Sequence, residues 1–198
     1  MENLENIMNF NFTITVGKLQ IPTYRELLCM VSPVFKAMFD NDKDCKSIEL
    51  DETVDETVDE KAISGFFNAI LPTNMANAIT NENRRGVLSL AFKYDVTKIV
   101  NYIEKLEIDD VKTNVNRSSI SGYNYIYFII EQIKLASKFK LNKLQKKILE
   151  EMNRCTYYTL SEIAKVLPNI DKDFAVLLGV RVCELIGHQG SNWKYKEK

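Results

Sequence analysis

Four cysteines and one histidine are the residues of this chain best suited to metal or nucleophilic chemistry. Cys29, Cys45, Cys155 and Cys183 stand far apart, no two make a C-x-x-C pair, and His188 lies alone near the C-terminal end. A zinc site needs a tighter cluster. The thiols read as buried or incidental, which suits a reducing, intracellular compartment, cytoplasmic or nuclear. The carboxylate run DETVDETVDE, Asp51–Glu60, lacks the Gly turn and closing Glu of a calcium loop. It reads as a solvated loop made by local duplication. A nucleophile elbow, a Gly-rich phosphate loop and a recognisable carboxylate pair are also missing from the sequence. No catalytic residue, cofactor or metal is expected.

The other ligand classes fare no better. Lys134, Lys138, Lys140, Lys143, Lys146 and Lys147 alternate with apolar positions and sit beside Glu150 and Glu151, the pattern of a solvated face rather than a nucleic-acid reader. A net charge of −1 gives no general pull toward nucleic acid or anionic membrane. No apolar run approaches a membrane span, and the acidic, Asn-rich start has no leader pattern. With 45% hydrophobic residues the chain suits one or two small domains with a real hydrophobic core.

The elements that must build such a core follow from periodicity. Phe10, Phe12, Ile14 and Val16 alternate with polar residues and predict a half-buried strand. Gly17-Lys18 turns the chain into a second strand, LQI, which Pro22 ends. YRELLCMV predicts a short helix with Leu27, Leu28 and Val31 on one side. Ser32 reads as a cap and Pro33 as the first residue of the next helix, PVFKAMF. KSIEL predicts a third strand. From Asp59, the spacing of Ile63, Phe66, Phe67 and Ile70 predicts a helix. Thr80, Thr97, Asn142, Thr159 and Asp173 read as caps of later helices, the last one over 174–186. Residues 107–121 have little period and read as a linker, and 188–198 as a frayed tail.

One phrase occurs twice. LAFKYDVTKI, residues 90–99, returns as LASKFKLNKL, residues 135–144. Each copy reads as the end of one helix, a tight corner and the start of the next. Tyr94 and Phe139 close the corners, with Tyr94 expected nearer the surface because its hydroxyl needs a partner or water. Two copies are too few for a solenoid.

At LLCMVSPVFKAMF, followed by SIEL, DEKAISGFFNAILP and VLSLAFKYDVTKIVNYIEKL, the chain resembles a BTB/POZ domain over about 10–106. IKLASKFKLNKLQKKILEEM resembles the 3-box, or start of a BACK domain, that follows many of them, and the wording of both halves is similar to nematode BTB proteins. The resemblance implies an α+β fold, a small sheet with a cluster of helices, then an all-helical extension. The implied limits are an arm at 1–9, the BTB/POZ domain at 10–106, the linker at 107–121, the extension at 122–187 and the tail at 188–198. It also implies a non-enzymatic protein-interaction module, an adaptor that forms homodimers and recruits partners to a cullin-3 ubiquitin ligase. The implied dimer surface is Phe10, Phe12, Ile14, Leu27, Leu28 and Val31. The implied cullin-facing surface is Met38, Phe39, Asp40, Asp42 and Tyr94. The chain departs from the family in Asp40–Lys46, which has no hydrophobic-x-Glu motif, and at Tyr24, where the family often has His. A scaffold that does not bind cullin, and a monomeric adaptor like Skp or elongin C, are the alternatives. The identity of any further protein partner is not written in the sequence.

Overall fold

Alternation in the first strand is realised from Phe12 onward: in β1, Phe12–Val16, the side chains of Phe12, Ile14 and Val16 are buried and those between are half-exposed, while Phe10, expected in the same strand, precedes it and is half-buried. The computed structural model describes residues 10–40, 45–50, 58–71, 75–117 and 123–193. Asp42, the arm 1–9 and residues 51–57 of the carboxylate run lie outside the described residues. The chain divides into two compact units, Met1–Ile103 and Glu104–Lys198.

In the first unit β1 is the central strand of three, in the order β2-β1-β3. It pairs antiparallel with β2, Leu19–Thr23, and parallel with β3, Ser47–Glu49. Pro22 does not end β2; it lies within the strand opposite Thr13. An edge position tolerates proline because the missing N–H can face away from the ladder. Two short helices follow, α1 (Arg25–Val31) and α2 (Pro33–Asp40). Asp59 caps α3, Glu60–Ile70, by accepting from the Ala62 N–H at 2.8 Å, and Ile63, Phe66, Phe67 and Ile70 are all buried as their spacing predicts. A single turn, α4 (Met75–Ala78), leads to α5, Arg84–Lys93. Before α5, Thr80 and Asn83 exchange side-chain-to-backbone bonds, Thr80 N–H to Asn83 Oδ1 at 2.8 Å and Asn83 N–H to Thr80 Oγ1 at 3.4 Å.

The repeated phrase builds the same corner twice. After α5, the Val96 N–H donates to Ala91 O at 2.8 Å and Asp95 N–H to Phe92 O at 3.3 Å. After α7 (Tyr123–Lys138), the Leu141 N–H donates to Ala136 O at 3.0 Å and Lys140 N–H to Ser137 O at 3.3 Å. This pair of bonds is the Schellman stop, and it requires a left-handed residue at its centre. Asp95 and Lys140 fill that place with φ of 51° and 50°. Left-handed backbone costs an L-residue roughly 1–2 kcal/mol, partly offset by the entropy that glycine would lose there, about 0.5–1 kcal/mol. Lys140→Gly is therefore expected to raise stability by roughly 0.5–1 kcal/mol. Asp95→Gly should raise it less, because Asp tolerates this region better than Lys. Thermal melts of the two variants measure both, and a fall in melting temperature for Lys140→Gly contradicts the account.

Helices are the regular elements among the described residues of the second unit: the later part of α6 (Thr97–Arg117), then α7, α8 (Asn142–Glu151), α9 (Tyr157–Ala164) and α10 (Lys172–Trp193), with 3-10 turns at Met152–Arg154 and Leu167–Asn169. Three sequence expectations are corrected here. Residues 107–117, read as linker, continue α6: its buried face runs through Ile103, Glu104, Glu107 and Val111, and two carboxylates on that face hide the apolar period. The last helix runs past 186 to Trp193, so the segment read as frayed is helical over most of its length. The caps also shift. Thr156, not Thr159, caps α9, and Asp171, not Asp173, accepts the N–H groups that open α10.

Asn142 does not cap α8. Glu104, reaching from α6 and only 5% exposed, does so, with Oε1 accepting from the N–H groups of Lys143 at 2.8 Å and Leu144 at 3.2 Å. The inner face of α10 carries Phe174, Leu178 and Val182, all buried, while Val176, Leu177 and Val180 stand exposed on the other side.

Candidate partner-binding surface

Ser32 is the joint that sets α1 against α2. Its Oγ accepts from the Phe35 N–H at 3.0 Å, which caps α2, and donates to the carbonyl oxygen of Tyr94. Pro33 then opens α2 where its missing N–H costs nothing. Because Ser32 is buried and tied to the α5 corner, the inward face of each helix is fixed. Leu28 of α1 and Phe35 and Phe39 of α2 go into the core. Behind them lies an aromatic cluster. The Phe35 ring stacks on Tyr94 at 4.5 Å between centroids, Phe39 meets Phe12 edge-on at 4.9 Å, and Phe66 meets Phe67 at 5.0 Å.

The outward faces carry apolar residues too, beside the exposed charges Glu26 and Lys36. On α1, Met30 is 83% exposed, and Leu27 and Val31 beside it are half-buried. On α2, Pro33, Val34, Ala37 and Met38 line an open groove of about 470 Å³. Asp40 is exposed at the end of α2. A surface of this kind can exclude water against another protein's side chains. Cys29 is half-buried with its thiol pushed up by burial, and Cys155, in the second unit, is pushed up to about 11 by burial.

The residues expected at partner surfaces divide accordingly. Phe12, Ile14 and Leu28, expected at a dimer surface, are 2%, 0% and 0% exposed; their side chains are spent on the chain's own core. Phe10 is half-buried against the Tyr24 ring at 5.0 Å, and Leu27 and Val31 remain partly available. Phe39 and Tyr94, expected to face cullin, are also core, whereas Met38 and Asp40 reach the surface. Both corner rings are buried, Tyr94 at 3% exposed against Phe35 and Phe139 at 6%, so Tyr94 does not lie nearer the surface as expected. Met30 was not anticipated. With Leu28 pointing inward, Met30, two residues on and about 160° away around the helix, faces outward, with Leu27 and Val31 half-buried at its flanks.

The BTB/POZ domain family model matches residues 2–111, more than half of the chain. This chain belongs to the BTB/POZ family. The match covers the three-stranded sheet and the helices packed on it, an α+β arrangement followed by further helices. Domains of this family are protein-interaction modules. No curated protein matches the chain. Among the described residues no helix is long and apolar enough to cross a membrane.

Proposed function

We propose that this chain is a non-enzymatic BTB adaptor that self-associates through the outer side of α1 and holds a protein partner on the outer side of α2. The observation that carries the reading is the apolar pair of faces on either side of Ser32: Met30 with Leu27 and Val31, then Pro33, Val34, Ala37 and Met38 around the open groove. A side chain such as Met30 gains a few kcal/mol, roughly 1.5–3, when fully covered. The partner proposed for α2 is cullin-3, with Met38 and Asp40 at the contact. The helices after α6 are proposed as a 3-box or BACK-like extension, and the setting is cytoplasmic or nuclear.

Light scattering at micromolar concentration tests the first part. The parent is expected at twice 22.9 kDa, and Met30→Asp at 22.9 kDa with an unchanged melt. A parent that scatters as a monomer removes the dimer and favours the Skp-like reading. Titration with the N-terminal domain of cullin-3 tests the second part: the parent should bind, and Met38→Asp should weaken binding by at least about tenfold, as expected for a charge in a desolvated apolar contact. A second reading, a scaffold that binds a different protein, is favoured by the absence of a hydrophobic-x-Glu motif in Asp40–Lys46. A dimeric parent that ignores cullin-3 decides for it.

A further inference from the structure

We propose that Arg25 is the positioning residue for the partner-facing end of α2, because its guanidinium binds the backbone carbonyls of Phe39, near the end of α2, and of Cys45, ahead of β3. The proposal rests on the reading that the outer face of α2 takes a protein partner. Arg25 is the first residue of α1, yet its Nη2 donates to Phe39 O at 2.7 Å and its Nη1 to Cys45 O at 3.1 Å. The same group lies 5.1 Å from the centre of the Phe39 ring.

Each contact has a separate physical role. The last carbonyls of a helix lack intrahelical partners, and a cation there also complements the helix dipole. The bond to Phe39 O therefore closes α2. The bond to Cys45 O reaches across to the residue where the chain returns toward β3. The ring contact fixes the plane of the guanidinium, so both N–H groups are aimed before any partner arrives. Met38 and Asp40 are the two neighbours of Phe39 in the chain, so pinning the Phe39 backbone sets where both side chains stand. A lysine cannot replace this fork, since it presents one point charge on a flexible stem.

The test uses the full chain, the variants Arg25→Met, Arg25→Lys and Met38→Asp, and the N-terminal domain of cullin-3 as probe. Methionine keeps an apolar stem over Phe39 but removes both donors. Calorimetric titration is expected to show binding weakened about tenfold in Arg25→Met and less in Arg25→Lys. A tryptic time course supplies a readout that does not depend on the probe. Cleavage at Lys46, next to the clasped Cys45, should speed up in Arg25→Met relative to cleavage at Lys93 within α5, because loss of the clasp is local while general destabilisation raises both. If Arg25→Met binds like the parent while Met38→Asp has lost binding, the positioning role is overturned and the docking surface stands. If the parent itself does not bind cullin-3, the cullin reading falls and the cleavage ratio decides: a raised ratio supports the clasp, and an unchanged ratio overturns it.

Discussion

Tyr94→Ala and Phe139→Ala should each lower stability by roughly 3–5 kcal/mol, the range for deleting a large buried ring. Each ring closes a Schellman corner, and each is almost wholly buried. Removing Tyr94 takes away the partner that stacks on Phe35 at 4.5 Å and leaves a void inside the cluster formed with Phe66. Against a total of about 5–15 kcal/mol for a typical domain, either loss is severe. Urea titration with circular dichroism measures it. A double-mutant cycle between Phe35 and Tyr94 should return a coupling of about 0.5–1.5 kcal/mol from the stack itself. A Phe139→Ala variant that melts with the parent would mean that the second copy of the repeated phrase is not a packed corner.

Glu104→Ala is expected to cost about 2–4 kcal/mol, far more than an ordinary surface carboxylate. Its Oε1 does the work of an N-cap for α8 from a different helix, satisfying the second and third N–H groups of that helix. An N-cap is worth roughly 0.5–2 kcal/mol, and hydrogen bonds to a buried charged group about 1.5–3 kcal/mol. Leu141, at the cap position itself, has no side chain able to compensate. Glu104→Gln keeps an acceptor but loses the charge, so it should retain part of the stability. Amide exchange at Lys143 and Leu144 should accelerate in Glu104→Ala more than at amides in the middle of α8. Equal acceleration along the helix would show that the carboxylate is not its cap.

Much of this architecture was legible in the residues. The alternation of Phe12, Ile14 and Val16, the Ser32-Pro33 junction and the 3.6-residue spacing of Ile63, Phe66, Phe67 and Ile70 are local signals, and each forms the element it predicts. The doubled phrase likewise encodes its corner locally, since a Schellman stop depends on a few consecutive residues. What failed was long-range. The buried face of α6 carries Glu104 and Glu107, which look like surface residues until α8 supplies N–H donors to the first and Gln132 donates to the second at 2.9 Å.

The division between core and surface followed the same line. By itself the sequence determined that α1 and α2 are short helices with apolar residues on more than one side. Only the tertiary structure decided which side is free. The buried bond from Ser32 to the Tyr94 carbonyl, sixty-two residues away, turns Leu28, Phe35 and Phe39 inward and leaves Met30, Val34 and Met38 toward solvent. Periodicity gives the relative angles of side chains around a helix, but the rotation of the helix about its own axis is set by the partner it packs on. That is why Phe12, Ile14, Leu28, Phe39 and Tyr94, all at reasonable positions for an interface, belong to the core, and why Met30 does not.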